Sequence, residues 1–333
     1  MGITHYSIIN AHPAVEVAAV VDTTPYVSSM LEKYLGVRTY KRYSKMMERE
    51  KVDAILVCTP PASNYEILLD AHRNGLHCFV EKPATLSASQ AFELACMFEA
   101  RGLVNQVGYV NRFNDVFVKV KDLLERQVVG EVLRVRTEMC ARTVIHPESG
   151  SGWRSARDKG GGALYEMASH AVDLMNYFVG APVAVAGSSL TRVFSQSVED
   201  VVSSTFLYEN GMVGSLYVNW SDASYRKAAN KVEFFGKTGK LLADQHGLKV
   251  HLTVPNERLG FRAGWNSLSI TDVFSSVPFF VRGIEFTAQL YHFVDCVAAG
   301  ATTRCTFRDA AATLQVLENM LRDESRTRGV LAR

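Results

Sequence analysis

The chain has 333 residues, which corresponds to about two domains of ordinary size. Its 36 Lys and Arg residues against 34 Asp and Glu residues leave a formal net charge of +2, so composition gives no reason to expect a nucleic acid or an anionic membrane as a partner. Hydrophobic residues make up 47% of the chain, which excludes a disordered protein, and no apolar stretch approaches the roughly 18 residues that a membrane span needs.

The cysteines and the first residues bear on the compartment. The six cysteines lie too far apart in sequence for a zinc site or a small disulfide framework. The first residues show no basic stretch followed by an apolar one, so no secretory signal is visible. We therefore expect a soluble, reduced, cytoplasmic protein.

The first 115 residues alternate short apolar runs with helical patterns, which predicts βα units on a parallel sheet. The predicted strands cover residues 15–21, 53–58, 77–80 and 103–110. The predicted helices cover residues 25–35, 66–74 and 87–101. This pattern predicts a parallel α/β domain over residues 1–115.

The pattern changes over residues 116–333, where long segments alternate polar and apolar positions with a period of two. After a helix over 116–127, the predicted strands cover residues 131–143, 182–194, 201–208, 212–220, 231–235 and 240–244. Asn210-Gly211 is a strong hairpin signal between two of them. Helices over 283–299 and 308–324 close the chain and can pack back on the first domain. We predict an α+β domain with a large, mostly antiparallel open sheet.

Polar residues follow three predicted parallel strands at the edge where such sheets bind ligands. Asp22 ends the first of these strands and can accept both ribose hydroxyls of an adenosine, or it can simply cap the next helix. No arginine follows it at Thr23-Thr24, which favours NAD over NADP.

The other two strands end in proline-containing turns. Thr59-Pro60-Pro61 follows the second strand and is either a ligand-contacting turn or a plain one. Glu81-Lys82-Pro83 follows the third, and a partly desolvated lysine there can exchange protons near neutrality. The alternative for this charged pair is a structural salt bridge.

A second cluster follows the three glycines of Gly160-Gly161-Gly162. Glu166, His170 and Asp173 are spaced i, i+4, i+7 and would share one face of an α-helix, whose free N–H groups beside the glycines favour an anion. An imidazole beside carboxylates suits proton transfer, although a metal site or a buried polar network are alternatives. Trp153-Arg154, just upstream, can stack on or hydrogen-bond a ligand.

Five segments together resemble the family of glucose–fructose oxidoreductase and inositol dehydrogenase, the Gfo/Idh/MocA oxidoreductases. They occur in the family's order and approximate spacing over essentially the whole chain: VEVAAVVD, VDAILVCTPP, GLHCFVEKPATLS, GYVNRF and GGGALYEMASHAVDLMNYFVG. The resemblance implies a Rossmann domain followed by an α/β domain whose open sheet makes dimer or tetramer contacts.

The resemblance also implies roles for individual residues. Lys82 matches the catalytic lysine and His170 the catalytic histidine, and Glu166 stands where the family usually has a catalytic Asp, with Asp173 one helical turn beyond His170. The implied cofactor is NAD, with NADP less favoured. The implied cofactor-binding positions are Gly2, His5, Asp22, Thr59, Pro60, Asn64, Glu81, Lys82, Trp153 and Arg154.

Three positions depart from the family pattern. Glu166 is longer than Asp by one methylene group, and Asn64 stands where a histidine is common. Gly2-Ile3-Thr4-His5 matches only the last part of the family's G-x-G-x-x-G-x-x-H. We therefore expect a sheet without its first strand, as if about 10 to 20 upstream residues were missing, and we expect its neighbouring strands to be left unpaired.

The function implied is hydride transfer between nicotinamide and a carbinol carbon of a sugar, cyclitol or nucleotide-sugar. Lys82, together with His170, would take the hydroxyl proton in the oxidative direction. The alternative is a binding or regulatory protein derived from the family, with weakened dinucleotide binding and no catalysis. No nucleic acid or membrane partner is expected.

Overall fold

A computed structural model describes residues 1–147 and 152–331. These residues form two compact units. The first unit comprises Met1–Thr85, Ser89–Gly108 and Val277–Arg308, and the second comprises the remaining described residues.

The described residues contain the following helices and strands. The helices are α1 (Gly2–Ile9), α2 (Pro25–Leu35), α3 (Tyr43–Arg49), α4 (Asn64–Arg73), α5 (Ala88–Ala100), α6 (Asp115–Glu125), α7 (Ser169–Val179), α8 (Ile270–Val273), α9 (Ile284–Ala299) and α10 (Phe307–Leu331). The strands are β1 (Ala19–Val21), β2 (Arg38–Tyr40), β3 (Ala54–Val57), β4 (His77–Val80), β5 (Asn105–Val107), β6 (Val132–Cys140), β7 (Ala184–Thr191), β8 (Val201–Leu207), β9 (Val213–Asn219), β10 (Ala229–Gly236), β11 (Gly239–Asp244), β12 (Gly247–Leu252) and β13 (Gly264–Ser269). Every helix and strand that the sequence pattern predicts is present, although most predicted strands are longer than the observed ones.

The strands of the first unit are all parallel, as predicted, but they form two sheets. β1 pairs with β2, and β3, β4 and β5 form a separate sheet in that order. No described strand joins the two sheets, so β1 and β3 each pair on one side only. The first strand of a Rossmann motif is absent from the described residues, as expected. The strands that would flank it, β1 and β3, are each unpaired on one side.

The predicted strand over residues 15–21 is wrong for its first half. Only Ala19–Val21 are extended in a ladder, and these three apolar residues remain half-buried. Val15 and Val17 instead pack, partly buried, on the core of the unit. Because no described strand pairs with this segment on that side, the apolar run lacks the partner that would extend it into a longer strand.

The core of the first unit joins α1, β4 and α9. Ile8 and Ile9 of α1 contact Phe79 of β4 and the apolar face of α9, which Leu290 and Phe293 provide. The helix α9 thus belongs to the same compact unit as the parallel strands, although almost 180 residues separate it from them in sequence.

The second unit is built on an eight-stranded sheet with the order β13-β12-β11-β10-β6-β9-β8-β7. All neighbours are antiparallel except β6 and β9, which pair in parallel, so the predicted mostly antiparallel sheet is confirmed. Burial alternates along the strands: in β8 every second residue is buried, and the residues between them face outward. Gly211 lies in the predicted hairpin between β8 and β9 with a φ of 82°, which glycine adopts readily.

No helix in the described ranges, 1–147 and 152–331, is both long and apolar enough to cross a membrane.

Candidate active site

In the first unit, Lys82 lies in a tight turn directly after β4. The Lys82–Pro83 peptide bond is cis, and the Lys82 side chain is partly buried. The backbone on the N-terminal side of the turn is tied to both neighbouring strands, because the Glu81 N–H donates to the Val57 carbonyl at 2.9 Å and the Gly108 N–H donates to the Val80 carbonyl at 2.8 Å. The predicted catalytic lysine therefore comes directly after the central strand of its sheet, and the main chain just before it is hydrogen-bonded to both neighbouring strands.

The Glu81 carboxylate is held by His5. His5 lies in α1, its side chain is 1% exposed, and its Nε2 is 2.5 Å from Glu81 Oε1. The imidazole packs edge-on against the ring of Phe79, with 5.3 Å between ring centroids. Gly108 makes room for the pair: a Cβ atom at that position would lie 3.0 Å from Glu81 Oε2. The charged pair that the sequence indicated at residues 81 and 82 is thus joined to a buried histidine.

Asn64 connects the two proline-containing turns. It begins α4 and is 1% exposed. Its Oδ1 accepts the Thr59 hydroxyl at 2.7 Å, and its Nδ2 donates to the Pro83 carbonyl at 3.1 Å. Both groups of the Asn64 amide are therefore engaged within the protein, and its contact with a cofactor stays a prediction.

Asp22 lies at the carboxyl end of β1, as predicted. One carboxylate oxygen, Oδ1, accepts the Thr24 N–H at 2.7 Å, which is a local turn contact just ahead of α2. It is not a helix cap, because Thr24 is the N-cap residue of α2 and no side chain caps that helix among the described residues. Asp22 is half-exposed, and its contact through one oxygen leaves the second carboxylate oxygen to a ligand.

The residues of this unit fit a dinucleotide on three observations. Gly2 is exposed at the start of α1, where no side chain in the described part of the chain caps the backbone N–H groups, and such a helix end favours an anion. His5 Nδ1 is buried and has no hydrogen-bond partner among the described residues. Asp22, Thr59 and Glu81 follow three parallel strands at their carboxyl ends, the edge at which open sheets bind ligands.

In the second unit, Glu166 lies in a π-helical turn, Leu164–Ala168, that leads directly into α7. The predicted i, i+4, i+7 spacing on one α-helix is therefore wrong for its first turn, because in a π-helix the hydrogen bond reaches the fifth residue instead of the fourth. Glu166 is partly exposed, and its Oε1 lies 3.4 Å from Arg154 Nη2. Arg154 in turn stacks on the ring of Trp153. The structure thus brings Glu166, Arg154 and Trp153 together.

His170 lies in the first turn of α7 and is partly exposed. Its imidazole meets the ring of Tyr109 edge-on, with 6.0 Å between ring centroids and 84° between ring planes. Tyr109 is buried and begins the segment that also carries Arg112. This contact fixes one side of the predicted catalytic imidazole.

Asp173 faces Arg112. It is fully buried, and its two carboxylate oxygens accept hydrogen bonds from Arg112 Nε and Nη2 at 3.0 and 2.8 Å. Burial raises the pKa of Asp173 to about 6, against the opposing effect of the Arg112 guanidinium. These contacts fit the buried-network alternative, and a catalytic role for Asp173 stays a prediction.

The backbone N–H groups that follow the glycine-rich turn are bound by Glu199 of the same chain. Glu199 Oε1 accepts the Leu164 N–H at 2.9 Å, and the Glu199 carbonyl accepts the Ala163 N–H at 3.0 Å. A side chain on Gly162 would overlap the Glu199 carboxylate, and one on Gly161 would overlap the Arg154 carbonyl. The anion expected at this helix start is therefore Glu199, which also pairs with Arg157.

Two of these residues escape the sequence reasoning. Arg112 lies inside the quoted segment GYVNRF, but its partner Asp173 is 61 residues away, so nothing local in the sequence indicates the pair. Glu199 carries no local signal either, because its partners Leu164 and Arg157 are 35 and 42 residues away. No group of three or more metal-ligating side chains occurs among the described residues, so the metal alternative finds no support there.

Comparison with known protein families identifies the family of this chain. Residues 1–109 match a family model described as the oxidoreductase family, NAD-binding Rossmann fold, and residues 117–242 match the GFO/IDH/MocA C-terminal domain. The chain belongs to the GFO/IDH/MocA oxidoreductase family. The resemblance in the sequence is thereby confirmed, and the family is one of NAD-binding oxidoreductases.

Several relatives are similar to this chain over much of their length. The scyllo-inositol 2-dehydrogenase (NAD(+)) of Bacillus subtilis is 21% identical over 318 residues, which cover 93% of this chain and 86% of that protein. The dTDP-3,4-didehydro-2,6-dideoxy-alpha-D-glucose 3-reductase of Actinomadura kijaniata is 26% identical over 70% of this chain and 68% of that protein. The match to the uncharacterized oxidoreductase sll0816 of Synechocystis, at 22% identity, spans 60% of that protein.

Solved structures show the same fold. A levoglucosan dehydrogenase in complex with NADH and levoglucosan superposes with a TM-score of 0.84 at 18% identity, covering 97% of this chain and 92% of that one. GenD2 from gentamicin A biosynthesis, in complex with NAD, superposes with a TM-score of 0.78 at 25% identity, covering 98% and 91%.

Proposed function

We propose that this protein is an NAD-dependent oxidoreductase that transfers a hydride between nicotinamide and a carbinol carbon of a sugar, cyclitol or nucleotide-sugar. The observation that carries the proposal is the Lys82 turn, which follows a parallel strand at its ligand-binding edge and is tied to β3 and β5 by backbone hydrogen bonds. The relatives named for inositol, levoglucosan and a dTDP-sugar support the substrate class.

The chemistry divides between the cofactor and the chain. NAD, when bound, supplies the acceptor for the hydride that leaves the carbinol carbon. Lys82 accepts the proton from the hydroxyl oxygen of the same carbon, so that a carbonyl group forms, and in the reverse direction Lys82 returns that proton. The backbone hydrogen bonds beside the turn fix the point from which the Lys82 side chain extends, and small displacements of a catalytic group cost much of the rate.

The second unit would supply His170 and Glu166. We assign to His170 the hydrogen bond to the reacting hydroxyl and a share in the proton transfer, because imidazole both donates and accepts near neutrality. Glu166 would accept substrate hydroxyls through its partly exposed carboxylate, and its contact with Arg154 orients that carboxylate. Trp153 offers an apolar ring face of the kind that sugar rings pack against.

The proposed cofactor is NAD, with NADP less favoured. Asp22 would accept the ribose hydroxyls, the N–H groups beside Gly2 would face the pyrophosphate, and Thr59 with Pro60 would lie against the nicotinamide nucleotide. A 2′-phosphate beside the Asp22 carboxylate would be repelled, and Thr23 and Thr24 bring no compensating cation. In this proposal residues 1–115 carry the cofactor and residues 116–333 the substrate.

The proposal is tested by fluorescence titration with NADH and by assays of NAD reduction on a panel of sugars, cyclitols and nucleotide-sugars. We expect micromolar NADH binding and, for Lys82→Met, a loss of about 10² to 10⁴ in kcat with NADH affinity close to wild type. Lys45→Met, on α3, is the matched control and should leave kcat unchanged. Absence of NADH binding would favour the alternative, a non-catalytic binding protein, and unchanged kcat in Lys82→Met would remove Lys82 from the mechanism.

The outer face of the eight-stranded sheet supports a further part of the proposal, a homodimer or homotetramer. Large apolar side chains on or beside the strands of this sheet are exposed at 37 to 50%: Leu133, Leu207, Val213, Tyr217, Phe235 and Trp265. An apolar patch on the open side of a sheet is a typical interaction surface, and a second copy of the chain would cover it. Light scattering should give a multiple of 36.9 kDa, and Tyr217→Glu with Phe235→Glu should give the monomer.

We also propose a cytoplasmic location. All six cysteines are free thiols, and five of them are at least partly buried. A reducing compartment preserves such thiols. Cell fractionation, followed by thiol titration of the denatured protein, should find the chain in the cytosolic fraction with six reactive thiols.

A further inference from the structure

The two residues that flank Lys82 are each bound by a buried polar side chain from a different helix. On the N-terminal side, His5 of α1 holds the Glu81 carboxylate at 2.5 Å. On the C-terminal side, Asn64 of α4 holds the Pro83 carbonyl at 3.1 Å. His5 and Asn64 are each 1% exposed. We propose that His5 and Asn64 are positioning residues that fix the Lys82 turn from both sides, a role that rests on the proposed function of Lys82.

The first contact acts through the Glu81 side chain. The His5 imidazole is wedged against Phe79, in the strand that leads into the turn, and it therefore cannot follow Glu81 if the turn moves. The opposite side of the Glu81 carboxylate lies against Gly108, where no side chain fits without contact closer than ordinary packing. Glu81 is thus confined between an imidazole and a backbone, and the residue that follows it is Lys82.

The second contact acts on the main chain itself. Asn64 uses its donor group on the Pro83 carbonyl and its acceptor group on the Thr59 hydroxyl, so both functions of the amide are engaged. The amide therefore joins the turn after β3 to the turn after β4. A buried hydrogen-bond pair of this kind resists separation, because each group that loses its partner is left unsatisfied away from water.

Neither side chain is needed for the ladder that builds the sheet. β4 is held by its pairing with β3 and β5, and the Glu81 and Gly108 N–H groups bond to backbone carbonyls. The contacts of His5 and Asn64 come in addition, directly beside Lys82. We infer that they restrict the Lys82 turn more than they stabilise the unit.

The test measures the reactivity of the Lys82 amine without cofactor or substrate. The full chain is acetylated with a trace of acetic anhydride, and the rate at Lys82 is measured by mass spectrometry relative to the exposed Lys51 in the same unit. His5→Leu and Asn64→Leu each remove one contact. We expect the relative rate at Lys82 to rise about fivefold in each, the population change that corresponds to one typical hydrogen bond.

Conservative variants separate positioning from general stability. His5→Gln keeps an N–H donor for Glu81 and should restore a rate close to wild type. Asn64→Asp keeps the acceptor for Thr59 but loses the donor to Pro83, and its rate should rise like that of Asn64→Leu. Asn74→Leu and His72→Leu are matched controls, since these side chains bond to the Asp70 and Met97 carbonyls elsewhere in the unit.

Two outcomes would overturn the proposal. One is an unchanged Lys82 rate in both Asn64→Asp and His5→Leu. The other is an equal rise at Lys51 and Lys82, which would show that the contacts serve only global stability. If His5→Leu fails to fold, Glu81→Leu takes its place, because it removes the carboxylate that His5 holds. Since labelling requires neither NADH nor turnover, this proposal and the proposed function can fail independently.

Discussion

The guanidinium of Arg112 donates hydrogen bonds to both carboxylate oxygens of Asp173 inside the second unit, at 3.0 and 2.8 Å. Both side chains are at most 4% exposed. Asp173 is one helical turn beyond His170, so this pair fixes the helix that carries the proposed catalytic imidazole. Arg112 also reaches Asp309 of α10 at 3.1 Å. Asp173, which the sequence spacing suggested for proton transfer, thus helps to hold in place the helix that carries His170.

Removing Arg112 should be costly. In Arg112→Met the Asp173 carboxylate loses its buried partner, and we expect the free energy of unfolding to fall by about 3–5 kcal/mol at pH 8. The double variant Arg112→Met/Asp173→Leu should recover most of this loss, because no unpaired charge remains buried. Urea unfolding followed by circular dichroism measures both. A double variant no more stable than the single one would contradict the explanation.

The same pair predicts a dependence on pH. Burial raises the pKa of Asp173 to about 6, above its value near 4 in an unfolded chain. Between about pH 4 and pH 6 the folded state therefore binds more protons than the unfolded state. The contribution of Asp173 to stability is complete below about pH 4 and is lost as the pH rises through about 6. In Arg112→Met the fall in the free energy of unfolding should extend to higher pH, because the guanidinium that lowers the pKa of Asp173 is gone. The variant Arg112→Met/Asp173→Asn should not show this fall, because no carboxyl group remains at position 173. Unfolding curves from pH 4 to 8 provide the measurement.

Gly162 should tolerate no side chain while Glu199 is present. Its φ of 101° already disfavours other residues, and an added Cβ would overlap the Glu199 carboxylate. Gly152→Ala is a matched control, because Gly152 has a φ of 122° and open space around it. We expect Gly162→Ala to lower the free energy of unfolding by about 1–3 kcal/mol more than Gly152→Ala does. In a Glu199→Ala background this excess should shrink, and an undiminished excess would place the clash elsewhere.

Asp200 should govern acid stability around β8. Its carboxylate accepts five hydrogen bonds at 2.5 to 2.9 Å, from the backbone of residues 193–195, the Ser195 hydroxyl and the Trp220 indole. Burial acts to raise the pKa of Asp200, but the hydrogen bonds from Ser195, Trp220 and the backbone outweigh it and lower the pKa. The stabilisation is therefore present above the unfolded pKa and is lost as the pH falls through the folded one.

The corresponding variant is Asp200→Asn. It should lower the melting temperature at pH 7 and flatten the loss of stability as the pH falls below about 4. Glu209→Gln, in the exposed turn between β8 and β9, is the control and should leave the acid profile nearly as in the wild type. An acid profile of Asp200→Asn identical to wild type would count against this assignment.

Cofactor choice should depend on Asp22. We expect the wild type to bind NADH more tightly than NADPH, and Asp22→Ala to weaken NADH binding about tenfold through the loss of a charged hydrogen-bond acceptor. NADPH binding should weaken less or improve, because the repulsion of its 2′-phosphate is removed. Asp53→Ala, just before β3 at the opposite end of the strands, should change neither dissociation constant. Equal losses for both nucleotides in Asp22→Ala would separate Asp22 from the ribose.

Much of the fold could be predicted because its signals are local. The αL glycine at Gly36 ends α2 where the pattern placed it, and the hairpin at Gly211 joins β8 to β9. The failures come from pairing. Val15 to Ala18 belong to a nearly all-apolar run that predicts a buried strand, but a strand is completed by its neighbours, and among the described strands only β2 pairs with β1. The parallel pairing of β6 with β9 is likewise invisible in either strand alone.

The sequence by itself determined the family and the change from a parallel α/β pattern to a mostly antiparallel sheet, because motif spacing and hydrophobic periodicity can be read directly along the chain. It also predicts Lys82, His170 and Glu166 as the catalytic residues. Only the tertiary structure decided what each polar residue near them does. Asp173 faces Arg112, Glu199 fills the start of the helix, and His5 and Asn64 hold the turn of Lys82. The reason is that burial and hydrogen bonding join residues far apart in sequence, and no spacing rule along one chain reports them.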